Sequence, residues 1–205
     1  VGNRAMGDRL SQDVSLTPYV AVSVLLLCLP MTPLLFMGQE WAASTPFCFF
    51  SDHHGELGEA VSKGRLEEFK HFAAFRDPEA RKRIPDPQAP GTFEASKLDW
   101  AERERDPHRN VFTAYRELLW LRREDPVITH ARRDELEAGA AGEVLWVRLA
   151  HAGQARLVLV NFGDETRLSA LEGIETAGMR PLFTSLTAPE GILPRHGAML
   201  LGGQA

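Results

Sequence analysis

Cysteine is scarce in this chain, with two in 205 residues, Cys28 and Cys48. Neither sits in a C-x-x-C or Cys/His spacing, which excludes a zinc ribbon, a finger or a paired redox motif. Both lie among apolar residues and are expected to be reduced, buried thiols of a cytoplasmic protein. Positive charge is not in excess either. The 23 Lys and Arg are outnumbered by 28 Asp and Glu, giving a formal net charge of −5. A nucleic-acid partner would call for a basic face and an anionic membrane for basic clusters, so neither is expected. Internal repeats and low-complexity tracts are absent. So is any N-terminal pattern of a basic segment followed by an apolar core, and without an initiator Met the opening at Val1 reads as the interior of a longer chain. The only long apolar run is Val20 to Met37. It approaches the roughly 20 residues of a membrane span, but Pro30 and Pro33 break it. A buried helix followed by a buried strand is expected there instead.

What is present suits a globular protein. The composition is 44% hydrophobic and 25% charged, enough to build a core in one large domain or two small ones. Ser15 is a candidate N-cap and Pro18 falls in the first turn, predicting a helix over 16–29 that is apolar nearly all round. The run from Met31 to Met37 predicts a fully buried parallel strand, giving one α/β step. Residues 38–58 show neither a helical nor a strand period, and a loop of that length inside a domain is usually functional. Helical spacing returns over 62–75. Pro78, Pro85, Pro87 and Pro90 then punctuate an irregular stretch that should wrap over a surface. A second amphipathic helix is predicted over 107–123, with Val111, Phe112, Tyr115, Leu118, Leu119 and Trp120 as its buried stripe. Asp125-Pro126 stops it. From there the pattern becomes short strands separated by Gly-containing turns: EVLWVRLAH, ARLVLVNFG, MRPLFTSL and AMLLGG. These predict a small antiparallel β-sandwich. The expected fold class is thus α/β followed by all-β, with residues 1–126 in the first part and 127–205 in the second.

Particular stretches carry a resemblance. VGNRAMGDRL at Val1 to Leu10 resembles the segment that follows the Asn-His-Asp motif of α-amylase-type enzymes. PMTPLLFMGQEW at Pro30 to Trp41 resembles their barrel-closing strand, and LVLVNFGDE at Leu157 to Glu165 an Asn-Phe strand of their C-terminal domain. PFCFFSDHH, GRLEEFKHF and SKLDW narrow the likeness to the malto-oligosyltrehalose trehalohydrolases of that superfamily. The resemblance implies the C-terminal end of a (β/α)8 barrel followed by the sandwich. It implies hydrolysis of the α-1,4 bond beside the trehalose end of a maltooligosyltrehalose, with that or a related α-glucan as partner. It also implies a retaining mechanism run by an Asp nucleophile, a Glu acid/base and a stabilising Asp, the carboxylates of the first two about 5 to 5.5 Å apart. All three belong to segments that would precede Val1, so no catalytic residue is assigned here. A glycogen branching or debranching enzyme is the rival within the superfamily. A stand-alone carbohydrate-binding module is the rival from another class.

Candidate binding residues follow from position and chemistry. Gly2, Asn3 and Arg4 would lie just past the missing Asp, where Asn3 and Arg4 could bond sugar hydroxyls or anchor the loop. Gln39 and Glu40 follow Gly38 at the end of the predicted strand, the end at which barrel enzymes place polar groups. Glu40 could accept from a sugar or orient an arginine, and Trp41 could stack on a glucose ring. Asp52 and His53, with Phe47, Phe49 and Phe50, pair polar groups with aromatics on the long loop, as sugar sites do. Adjacent His53 and His54 lack further ligands nearby, and neither a metal nor another cofactor is expected. Glu67 and Glu68 are neighbours on a helix and point about 100° apart, so they cannot act on one bond together.

Overall fold

The computed structural model describes residues 3–205; Gly2 lies outside the described residues. Its helices are α1 (Leu10–Asp13), α2 (Leu16–Cys28), α3 (Gly55–Glu68), α4 (Pro78–Arg81), α5 (Pro90–Ala95), α6 (His108–Glu124) and α7 (Pro126–His130). The strands are β1 (Glu137–Ala141), β2 (Val144–His151), β3 (Gln154–Asn161), β4 (Thr166–Arg167), β5 (Arg180–Thr184), β6 (Ile192–Leu193) and β7 (Ala198–Gln204). Packing divides the chain into two units: one runs to Asp13 and resumes over Ala42–Glu102, and the other comprises Val14–Trp41 and Arg103–Ala205.

The first unit is mostly loop and short helix. Ala5, Phe69 and Ile84 form a small buried core, with Met6, Leu66 and Phe75 packed on it. Arg65 is buried beside that core, its guanidinium 4.6 Å from the Phe69 ring centroid and 5.3 Å from that of Phe49, and it donates to the Arg4 carbonyl at 2.9 Å. The helical stretch expected over 62–75 is displaced: α3 begins at Gly55 and ends at Glu68. The chain folds back there because Phe72 and Phe75 turn onto Phe69, with centroids 5.5 and 5.9 Å away. Ring packing on buried Phe69, with Phe75 partly buried and Phe72 still 57% exposed, accompanies the end of the helix that spacing alone would have extended. Gly7 sits at φ +72, where the Phe47 carbonyl carbon would lie 2.5 Å from any Cβ, and its own carbonyl accepts from Phe47 N at 2.8 Å.

The second unit is a sheet covered on both faces. Its order is β1-β2-β3-β7-β5, all antiparallel, with β4 and β6 forming a separate two-stranded ladder. Alternation along the strands sorts the side chains. Val144, Leu157, Leu159, Met199 and Leu201 pack with Leu171 and Leu193 into one core. The opposite face presents Val147, Val158 and Leu200, also buried, towards α2 and α7. Central β3 is therefore covered on both sides, and its sequence is apolar almost throughout. The strands read from EVLWVRLAH, ARLVLVNFG, MRPLFTSL and AMLLGG are all present.

The helices of this unit follow their sequence closely at the ends. Helix α2 starts after Ser15, with Pro18 in its first turn, and α6 ends at Asp125. Two expectations fail. Met31 to Met37 forms neither strand nor helix, and Leu34 is 91% exposed. A strand is defined by its ladder to a neighbour, and among the described residues none flanks this segment. Arg122 holds its start instead, donating to the carbonyls of Leu27, Leu29 and Met31 at 2.7–2.8 Å. On α6, Val111, Tyr115, Leu118 and Leu121 are buried, while Leu119 and Trp120 are exposed, Trp120 by 55%. The buried stripe runs at spacings of three and four, and Leu119 and Trp120 fall beside it.

Candidate functional site

The irregular segment from Met31 leads into a single 3-10 turn, Gln39–Trp41. Gly38 before it adopts φ 82, and Ala42 after it adopts φ 54, a left-handed conformation that costs a non-glycine residue about 1 kcal/mol or more. The turn is held by side chains from two helices. Tyr19 on α2 donates its hydroxyl to the Gln39 carbonyl at 2.7 Å. The Gln39 side chain donates Nε2 to the Tyr115 hydroxyl on α6 at 3.1 Å and accepts from Phe36 N at 3.2 Å through Oε1. Ser23 Oγ lies 2.8 Å from the same Tyr115 hydroxyl and donates to the Tyr19 carbonyl at 2.8 Å. His108 Nδ1 lies 2.9 Å from the Trp41 carbonyl.

These bonds decide what each predicted residue can offer. The Gln39 amide spends both ends on the protein. Trp41 is 1% exposed, so its ring is a packing surface. Glu40 lies between them, partly exposed, with its Oε2 buried and without a hydrogen-bond partner among the described residues. A buried carboxylate oxygen left in that condition marks a place where the protein forgoes stability.

The remaining candidates belong to the first unit. Asn3 and Arg4 are exposed; Arg4 pairs with Asp13 and its carbonyl receives Arg65. Asp52 and His53 are exposed, and His53 N donates to Gln88 Oε1 at 2.9 Å. The loop aromatics stack among themselves: Phe47 on Phe50 at 5.7 Å and Phe50 on Phe93 at 5.2 Å, all in edge-on geometry. Among the described residues, no three His, Cys, Asp or Glu side chains gather as metal ligands would.

Sequence comparison assigns the relatives. A malto-oligosyltrehalose trehalohydrolase from Deinococcus radiodurans is 52% identical over 170 residues, which is 83% of this chain. The chain is related to the malto-oligosyltrehalose trehalohydrolases. Trehalohydrolases from Arthrobacter ramosus and Mycobacterium tuberculosis are 48% and 37% identical, over 69% and 84% of the chain. The chain spans 28% of the Deinococcus trehalohydrolase and 24% of the Arthrobacter one. Among solved structures, a Salmonella typhimurium protein assigned to the alpha amylases superposes over the whole chain, and over 33% of its own, with TM-score 0.81 and 33% identity. A trehalose-6-phosphate hydrolase from Bacillus licheniformis shares the fold over 92% of this chain and 39% of its own, at TM-score 0.59 and 18% identity. No protein-family model matches the chain. No helix of the described residues is long and apolar enough to cross a membrane.

Sequence reasoning placed Gln39, Glu40 and Trp41 together and missed Tyr19, Ser23, His108 and Tyr115, which fix them. One signal was available. The chain has two tyrosines, and both fall in apolar helical stretches. A buried tyrosine needs a partner for its hydroxyl, and here both supply it to the Gln39 turn.

Proposed function

We propose that this chain is the C-terminal part of a cytoplasmic glycoside hydrolase that cleaves the α-1,4 bond beside the trehalose end of a maltooligosyltrehalose and releases trehalose. The observation that carries the reading is the uniform naming of its curated relatives as malto-oligosyltrehalose trehalohydrolases, at 31–52% identity. In this reading residues 1–126 complete a (β/α)8 barrel and 127–205 form the following β domain. The nucleophile, the acid/base and the stabilising carboxylate come from the remaining length of the hydrolase.

The part played by the present residues is binding and orientation. Glu40 supplies an acceptor for a sugar hydroxyl or for a cationic side chain that orients the nucleophile. Gln39 and Trp41 keep that acceptor in place. In the other unit, Asn3, Arg4, Asp52 and His53 offer exposed donors and acceptors suited to the polar rim of an α-glucan. The test is end specificity. The full-length protein carrying this chain, given maltooligosyltrehalose and a maltooligosaccharide of equal length, releases trehalose from the first and leaves the second largely uncut. Equal cutting of both, or glucan transfer without trehalose, overturns the reading.

A further inference from the structure

The hydrogen bonds around the Gln39 turn close into a ring, and their directions can be assigned. Ser23 uses its one proton on the Tyr19 carbonyl at 2.8 Å. The 2.8 Å contact between Ser23 Oγ and the Tyr115 hydroxyl must then be donated by Tyr115. With its proton committed to Ser23, the Tyr115 oxygen is the acceptor for Gln39 Nε2 at 3.1 Å. Tyr19 completes the circuit by donating to the Gln39 carbonyl at 2.7 Å. Every link therefore points the same way round, from Gln39 to Tyr115, Ser23, Tyr19 and back. Three of these bonds share atoms and polarise one another, from Gln39 Nε2 through the Tyr115 and Ser23 hydroxyls to the Tyr19 carbonyl; the Tyr19 hydroxyl bond to the Gln39 carbonyl closes the ring only through the covalent frames of Tyr19 and Gln39.

Tyr115 is 1% exposed, so its hydroxyl has no water to fall back on. The ring fixes Gln39 at both its backbone and its side chain, and Gln39 is the residue beside Glu40. The left-handed Ala42 on the far side shows that the backbone here is held against its own preference. Two helices, the left-handed residues Gly38 and Ala42 and every polar atom of Gln39 are thus committed to a turn of three residues. What that turn displays is Glu40, with its unpartnered buried oxygen.

We propose that Tyr115 is a positioning residue: its hydroxyl, acting through Gln39, sets the direction of the Glu40 carboxylate used in substrate binding. The use of Glu40 in binding rests on the function proposed above; the mechanical link from Tyr115 to the turn does not. Removing the hydroxyl as Tyr115→Phe preserves ring volume, breaks two of the bonds at once and leaves Gln39 Nε2 without its acceptor, while Oε1 keeps only Phe36 N.

The experiment uses the full-length protein that carries this chain. Trp41 serves as a local reporter through 5-fluorotryptophan and ¹⁹F NMR, its line identified by its loss in Trp41→Phe. Tyr115→Phe is expected to shift and broaden the Trp41 line. Val144→Ala, a cavity variant in the core on the sheet face away from α2, is expected to lower thermal stability and leave that line in place. In kinetics with maltooligosyltrehalose, Tyr115→Phe should lower kcat/KM by about 10- to 100-fold, the scale of a misplaced binding group. In a Glu40→Gln background the same change should cost less than about twofold, because the group it aims is already gone. An unmoved Trp41 line, or a full additional loss in the Glu40→Gln background, overturns the proposal. If the wild-type protein releases no trehalose, the functional reading fails, and the Trp41 line still decides whether Tyr115 holds the turn.

Discussion

Asp125 is the residue whose loss should damage the second unit most. It ends α6, its backbone N–H donating to Leu121 O, and it begins α7, its Oδ1 accepting from Val127 N and Ile128 N at 3.0 and 3.1 Å. Its other oxygen, Oδ2, accepts from Arg156 Nε on β3 at 2.7 Å, and both side chains are buried. Arg156 also donates from Nη1 to the Ala155 carbonyl and from Nη2 to Gln154 Oε1. One carboxylate thus caps a helix and neutralises a buried guanidinium. Asp125→Ala removes both roles: about 1 kcal/mol for the cap and about 3–5 kcal/mol for the charge left buried. Asp125→Asn keeps a capping oxygen and should lose about 3 kcal/mol, mainly from the charge. Adding Arg156→Met to Asp125→Asn should recover much of that loss, since no unpaired charge then remains. The assay is urea unfolding followed by near-UV circular dichroism, with the coupling taken from the four-variant cycle. An Asp125→Ala loss below about 1 kcal/mol would show that water reaches Arg156, and would refute the argument.

Two further outcomes are specific. Burial pushes the Cys28 thiol from 9.0 up to about 12, opposed by the Arg122 guanidinium and reinforced by Asp125. Above pH 9 the unfolded chain releases this proton while the folded one keeps it, so stability falls as pH rises towards 12. At pH 10 this component is about 1.4 kcal/mol; Cys28→Ala lacks it, and the stability gap between wild type and variant should narrow by that amount between pH 8 and pH 10, whereas a constant gap contradicts it. At Gly7, with φ +72 and the Phe47 carbonyl carbon 2.5 Å from a Cβ position, Gly7→Ala should cost about 2 kcal/mol or more, read as faster proteolysis of the 42–54 loop; unchanged cleavage would contradict the steric argument.

The sheet of the second unit was legible because its strands are short β-branched and apolar runs, continuous in the central β3 and β7, with Gly-containing turns marking their ends. Helices α2 and α6 were legible from Ser15, Pro18 and Asp125-Pro126. The strand expected at Met31 to Met37 was not realised, because an apolar run specifies burial but not a partner ladder. The displaced α3 shows the converse: Phe72 and Phe75 keep helical spacing, yet gain more by turning onto Phe69. At the candidate site, the sequence pointed to Gln39, Glu40 and Trp41 as neighbours at the end of an apolar run. It could not reveal that Gln39 faces Tyr115, since the two are 76 residues apart. Tyr115 reads from spacing as one more member of an apolar stripe, and only the demand of its hydroxyl for a partner hints otherwise.

If the proposed function holds, this stretch can serve as the corresponding part of a trehalohydrolase. The direct test is a chimera in which the chain replaces the matching region of the Deinococcus radiodurans relative, 52% identical over 170 residues. Release of trehalose from maltooligosyltrehalose is measured alongside cooperative unfolding. The expected chimera folds, releases trehalose and retains only about a tenth or less of its kcat/KM on Glu40→Gln. A chimera that unfolds cooperatively yet releases no trehalose would contradict it.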